Sequence, residues 1–123
     1  MLLNKFFAID KLEVSSDKST CSVRAILNPE HPIFNGHFPG NPIVPGVCML
    51  QMIKEILAKI LKHELMLVKS NAIKLNNLIS PVKNPVIDFE IHIRENTSGM
   101  VQISSRIYFG NTTFCNFKGT FKI

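Results

Sequence analysis

Residues 36–57 read GHFPGNPIVPGVCMLQMIKEIL, and this stretch decides the fold of the chain. Its prolines each fix φ, remove a hydrogen-bond donor and favour an extended preceding residue, so its first half predicts a stiff, irregular loop. The loop ends at Pro45-Gly46, which suits the first turn of a helix. Gly46 has no side chain, so a ligand can approach its backbone closely. A rigid loop that brings His37 to a helix N-terminus is typical of a binding or catalytic site.

The residues that follow predict a helix from Val47 to about His63. On a helical projection, apolar side chains cover about half of the circumference and polar side chains cover the rest. An apolar arc of this width favours a helix that is largely wrapped by a sheet. Gln51 lies on the polar side, which in a dimer would face a second subunit.

The pattern His-Phe-Pro-Gly-x-Pro-x-x-Pro-Gly-Val, followed by an apolar helix, resembles that of the hot-dog-fold 3-hydroxyacyl-acyl carrier protein dehydratases of fatty acid synthesis. In that family a Glu or Asp stands on the helix, at the position that Gln51 occupies here. The positions that match the family are His37, Phe38, Pro39, Gly40, Pro42, Pro45, Gly46, Val47 and Leu50.

Dehydration of a 3-hydroxyacyl thioester needs a base for the Cα proton, a donor for the charge on the thioester oxygen and an acid for the departing hydroxyl. His37 can act as the base, because imidazole titrates near neutral pH. The Gly46 N–H at the helix N-terminus can polarise the thioester oxygen. The resemblance implies that the acid position, here Gln51, is contributed by the other subunit of a dimer. It also implies substrate contacts from Phe38, Pro39, Pro45, Val47 and Leu50, although Phe38 equally suits a buried plug.

Gln51 changes the chemistry that the resemblance implies. A carboxamide can donate a hydrogen bond and orient a hydroxyl or a water, but it cannot give up a proton at pH 7. General acid catalysis is commonly worth about 10²–10⁴-fold, so its loss predicts a slow enzyme. Glu55, one turn further along, is the nearest carboxylate in sequence. We interpret it as an exposed i,i+4 partner of Lys59 rather than as a substitute acid.

The remaining sequence predicts strands separated by turns. Asn35-Gly36 predicts a turn before the loop, and Gly110-Asn111 predicts a hairpin. The predicted strands are a hairpin pair at 5–14 and 20–28, and a meander at 65–78, 86–94, 101–109 and 113–123. We therefore predict an α+β, hot-dog fold: an antiparallel sheet wrapped around one long central helix.

Composition predicts a single packed domain spanning residues 1–123, because 46% of residues are hydrophobic and only 19% are charged. No apolar run reaches the ~20 residues of a membrane span, and the first ten residues lack the pattern of a signal peptide. The three cysteines form no C-x-x-C pair, which favours reduced thiols and a cytoplasmic location. We interpret Cys48 as a packing residue. Since zinc-type spacing and a phosphate-binding glycine loop are both missing, we predict no metal and no other cofactor.

The formal net charge is +5, and the lysines are dispersed, which disfavours nucleic acid as the main partner. A mildly basic surface suits an acidic acyl carrier protein, but a solvated surface has the same composition. We expect an acyl carrier protein or acyl-thioester partner, no nucleic acid and no membrane. We expect a homodimer, with a higher assembly or a heterodimer with an active homologue left open.

Three functions remain open. The first is a hydro-lyase that acts on acyl thioesters in fatty acid or related acyl-chain biosynthesis. The second is a catalytically weak or silent acyl-binding partner subunit, and the third is a thioesterase in which Gln51 orients a water. The extended His-Phe-Pro-Gly loop favours the first over the third.

Overall fold

We describe the fold from a computed structural model, which covers residues 1–36, 40–95 and 98–123, with only the backbone of Glu95. This part of the chain forms two helices and six strands. The helices are α1 (Ile33–Gly36) and α2 (Gly46–Leu61). The strands are β1 (Phe7–Val14), β2 (Thr20–Leu27), β3 (Met66–Leu75), β4 (Val86–Glu95), β5 (Met100–Phe109) and β6 (Thr112–Lys122). The predicted central helix and six strands are confirmed.

One six-stranded sheet has the order β1-β2-β4-β5-β6-β3, and every neighbouring pair is antiparallel. The β1–β2 hairpin and the turn at Gly110-Asn111 are as predicted. The predicted four-strand meander is wrong for β3, which pairs with β6 rather than with β4. The reason is the connection over residues 76–85, which is too long for a tight hairpin. Its end is bonded to β2, where the Leu27 N–H donates to the Pro85 carbonyl at 2.7 Å, so β4 enters the sheet beside β2.

Helix α2 lies against one face of this sheet, and its apolar side chains join those of the sheet in one core cluster. Strand β4 shows the alternation that the sequence predicts, since every second side chain is buried. Burial of each large aliphatic side chain contributes roughly 1.5–3 kcal/mol, so this contact is the main source of stability. The core residues from the two elements are Cys48, Met49, Met52, Ile53, Ile56, Leu57, Ile60, Ile87, Phe89, Ile91 and Ile93.

Asn35-Gly36 was predicted as a turn, but both residues belong to the short helix α1. The ring nitrogen Nδ1 of His31 accepts a hydrogen bond from the Ile33 N–H at 3.1 Å, which satisfies a donor at the start of this helix. Phe34 is buried, with its ring 5.4 Å from that of Phe6. Tertiary packing of an aromatic residue therefore converts the predicted turn into helix.

Helix α2 ends at Leu61 and is capped by Lys62, which has the left-handed conformation (φ 59°) and donates its N–H to the Ala58 carbonyl at 2.9 Å. Neither of the helices described here combines the length and the apolar character that crossing a bilayer requires.

Candidate active site

The loop that was predicted to carry the site is anchored on both sides. Before it, Phe34 of α1 is buried against the core. After it, Val44 is 2% exposed, and its N–H donates to the Ile79 carbonyl at 2.9 Å. The predicted base, His37, and the predicted substrate contacts Phe38 and Pro39 lie between these anchors but outside the described residues. Their roles stay predictions.

Gly46 is the first residue of α2, one residue earlier than predicted. Pro45 is the N-cap, extended at φ −64° and ψ 147°, and its carbonyl accepts from the N–H groups of Cys48 and Met49. Within the described residues, no acceptor is bonded to the Gly46 N–H. A helix N-terminus concentrates partial positive charge, so this N–H is available to a ligand oxygen.

Three of the residues predicted to contact the substrate lie at the start of α2, and they differ in solvent exposure. Pro45 is buried, Leu50 is half-buried, and Val47 is 74% exposed. Val47 and Leu50 line the same cavity as Gln51, so the structure brings these two predicted residues together with the predicted acid position. Pro45 is not among the residues that line it.

That cavity, of about 180 Å³, lies between α2 and the sheet. Most of its lining residues are apolar, and the polar ones are Gln51 and Lys54. Its walls are Val47, Leu50, Gln51, Lys54, Leu67 of β3 and Phe121 of β6. Apolar pockets with a few polar groups are the usual form of a ligand site.

Gln51 is bonded within its own helix. Its Nε2 donates to Oε2 of Glu55, one turn further along, at 2.8 Å. This bond leaves the carbonyl Oε1, which accepts no hydrogen bond from a described residue. The hydrogen bond to Glu55 therefore fixes the orientation of the Gln51 amide.

The interpretation of Glu55 as an exposed partner of Lys59 is wrong. Glu55 is 9% exposed, and no ion pair joins it to Lys59 in the part of the chain that the structure describes. Instead, its carboxylate accepts hydrogen bonds from the backbone N–H groups of Leu2 at 2.9 Å and Leu3 at 2.8 Å. It also accepts the hydrogen bond from Nε2 of Gln51. The i,i+4 spacing within the helix could not predict these donors, because they come from residues that are distant in sequence.

Cys48 occupies the first turn of α2, but its side chain points into the core, where it is 4% exposed. Burial raises the pKa of the Cys48 thiol above its ordinary value. The reactive thiolate is disfavoured as a result, which supports the packing role that the sequence suggested.

Comparison with known proteins identifies the family. The ApeI-like family model, described as ApeI dehydratase, matches residues 13–118. The chain belongs to this family. The match includes the whole predicted loop, the start of α2 and Gln51. The candidate site therefore lies within the part of the chain that matches the ApeI-like family.

Relatives of this ApeI-like chain include 3-hydroxyacyl-[acyl-carrier-protein] dehydratases called FabZ. The FabZ of Variovorax paradoxus is 28% identical over 119 residues, which cover 89% of this chain and 79% of that protein. The FabZ of Alkaliphilus metalliredigens is 41% identical over 56 residues, which cover 45% of this chain and 37% of that protein. That of Acetivibrio thermocellus is 43% identical over 51 residues. These last two matches span about a third of the length of each relative.

Solved structures show the same fold. The dehydratase heterocomplex ApeI:P from Xenorhabdus doucetiae superposes with a TM-score of 0.71 at 15% identity, covering 94% of this chain and 96% of that one. A sigma28-regulated virulence protein from Campylobacter jejuni superposes with a TM-score of 0.66 at 7% identity, covering 96% and 83%. The hot-dog fold predicted from the sequence is confirmed.

Proposed function

We propose that this protein is a hydro-lyase that removes water from 3-hydroxyacyl thioesters carried by an acyl carrier protein, in fatty acid or related acyl-chain biosynthesis. The observation that carries the proposal is the Gly46 N–H at the start of α2, which has no acceptor among the described residues and lies inside the region that matches a dehydratase family. Such a donor binds the thioester oxygen where negative charge develops when Cα loses its proton. The FabZ names of the relatives supply the substrate class.

In the proposed reaction His37 takes the proton from Cα, the thioester oxygen gains charge against the Gly46 N–H, and the C–O bond at C3 breaks. The departing hydroxyl must then receive a proton. Gln51 has none to give, because its group is a carboxamide. The proton that His37 has just taken is the one available, so a single imidazole serves first as base and then as acid. Gln51 holds the hydroxyl in place.

We propose that the site is completed in a homodimer. Strand β3 is an edge of the sheet, and all ten of its residues are exposed in the single chain. Five of them are large and apolar, and Leu67 lines the same cavity as Gln51. An edge strand with apolar side chains is suited to pair with another chain. The apolar residues of β3 are Met66, Leu67, Val68, Ile73 and Leu75.

A weak or silent partner subunit is the second candidate. It is favoured by Gln51, whose Nε2 is already committed to Glu55, so that neither residue is arranged to give a proton to a substrate. The similar ApeI:P structure is a heterocomplex, so this candidate takes the form of a heterodimer with an active homologue. In either form we infer an acyl carrier protein partner and a cytoplasmic location.

The test is to incubate the purified protein with matched 3-hydroxyacyl and trans-2-enoyl thioesters, and to follow both their interconversion and the release of free thiol. Interconversion that is lost in His37→Ala supports the hydro-lyase. Binding of acyl-acyl carrier protein with neither reaction supports the partner subunit. Thiol release without any enoyl product would overturn both and indicate a thioesterase.

A further inference from the structure

The amide of Gln51 has one allowed orientation. Its Nε2 lies 2.8 Å from Oε2 of Glu55, and a carboxylate accepts hydrogen bonds. If the amide were turned over, two acceptor oxygens would face each other at hydrogen-bond distance. The nitrogen must therefore face Glu55, and the carbonyl Oε1 must point away from it.

Glu55 is itself held in place. The residue is 9% exposed, and its carboxylate accepts hydrogen bonds from the backbone N–H groups of Leu2 and Leu3. Hydrogen bonds to an ionised acceptor are stronger than those between neutral groups. Rotation of the Glu55 carboxylate would leave these backbone donors without their acceptor. The hydrogen bonds from Leu2 and Leu3 therefore hold in place the carboxylate that orients Gln51.

We propose that Glu55 is a positioning residue that turns Gln51 into a hydrogen-bond acceptor, so that the site selects a 3-hydroxyacyl chain over a 3-oxoacyl chain. The proposal rests on the proposed function, since it assumes that the acyl chain reaches the cavity that Gln51 lines. A 3-hydroxyl group can donate to Oε1 of Gln51. A 3-oxo group can only accept, so it would face that oxygen without a hydrogen bond.

Lys54 lines the same cavity and carries donors that either chain can use. Its contribution is common to the native protein and to variants at positions 51 and 55. The difference between the two chains is therefore assigned to the amide of Gln51.

The variant Glu55→Gln tests the orientation, because it changes the partner of Gln51 and keeps the size of residue 55. The new amide can still accept from Leu2 and Leu3 through its oxygen, and its nitrogen can donate to Oε1 of Gln51. The amide of Gln51 would then turn over and present its NH₂ group to the cavity. Because a hydroxyl and an oxo group can both accept from that NH₂ group, we expect the preference for the 3-hydroxyacyl chain to be lost.

Dissociation constants are measured for 3-hydroxyhexanoyl and 3-oxohexanoyl pantetheine in the His37→Ala background, which stops turnover. With Glu55 present, the hydroxyl chain should bind about two- to tenfold more tightly, the range expected for one hydrogen bond. With Glu55→Gln the two chains should bind about equally well. Gln51→Met should abolish the preference, and the exposed control Glu64→Gln should keep it.

A hydroxyl preference that survives Glu55→Gln or Gln51→Met overturns the proposal, and Gln51→Met alone decides if the first variant does not fold. The side-chain amide signals of Gln51 in ¹⁵N–¹H NMR spectra give a readout that needs no ligand. They should shift strongly in Glu55→Gln, and unchanged signals would also overturn the orientation. If neither thioester binds the protein while these signals do shift, the proposed function fails and the positioning of Gln51 by Glu55 stands.

Discussion

The backbone N–H of Leu2 lies 2.9 Å from both carboxylate oxygens of Glu55, across 53 positions of sequence. Glu55 thus ties the first residues of the chain to the middle of the central helix. The same carboxylate is bonded to Gln51, so the start of the chain and the candidate site share one anchor.

Replacement of this anchor should destabilise the protein. Glu55→Ala removes the acceptor of the partly buried N–H groups of Leu2 and Leu3, and a hydrogen bond to a charged group contributes roughly 1.5–3 kcal/mol. We expect the free energy of unfolding, measured in urea, to fall by about 2 kcal/mol. Lys59→Ala, an exposed position on the same helix, should change it by less than about 0.5 kcal/mol. Equal losses in the two variants would contradict the structural role of Glu55.

The donor role of Gly46 can be tested by a substitution that removes its N–H. Gly46→Pro does this at the first helical position, where proline is well tolerated. Pro45 already has the extended conformation that a following proline requires. We expect a normal melting temperature and a fall in kcat of about 10²-fold, as for the loss of one oxyanion donor.

Gly46→Ala is the matched control, because it keeps the N–H. A Cβ at this position would lie 3.6 Å from Cδ1 of Leu75, which is an ordinary contact. Its kcat should stay close to that of the native protein. Full activity in Gly46→Pro would show that the thioester oxygen is held by another group.

Gln51→Glu should raise dehydratase activity. The new carboxyl group would lie within hydrogen-bond distance of Glu55, and two carboxylates so close cannot both ionise easily, which raises the pKa at which the pair loses its last proton. A proton donor then stands at the acid position near neutral pH, for a gain in rate of up to about 10²-fold. An unchanged or lower rate would mean that residue 51 is not placed where the acid is needed.

The same variant predicts a pH dependence of stability. The pKa of this carboxyl pair is higher in the folded protein than in the unfolded chain. Such a group contributes stability that is fully present at pH values below its pKa in the unfolded chain. This stability is lost as the pH rises through its pKa in the folded protein. The melting temperature of Gln51→Glu should therefore approach that of the native protein near pH 4 and fall below it towards pH 9.

The proposed dimer edge is tested by placing a charge on β3. Val68→Asp puts a carboxylate on a half-exposed position of this strand, and Leu12→Asp does the same on β1, the opposite edge of the sheet. Light scattering after size-exclusion chromatography should show a monomer, without dehydratase activity, for Val68→Asp only. A dimer in Val68→Asp, or an active monomer, would place the interface elsewhere.

Local patterns in the sequence predicted the strands and the central helix, because alternation in β4 and the wide apolar arc of α2 are set by residues close in sequence. The position of β3 beside β6 depends on the path of a ten-residue connection that carries no periodic signal. Glu55 was misassigned for a similar reason, since its partners are backbone groups from the far end of the chain. The i,i+4 spacing from Gln51 to Glu55 was the one local signal for that bond.

The most direct measurement of the central claim is the rate at which the protein removes water from a 3-hydroxyacyl chain on acyl carrier protein, followed by the mass of the intact carrier. The native protein should produce the enoyl form, and His37→Ala at the same concentration should not. Equal rates in the two proteins would contradict the assignment as a hydro-lyase. So would an acyl carrier protein whose mass does not fall by one water when it is incubated with the native protein.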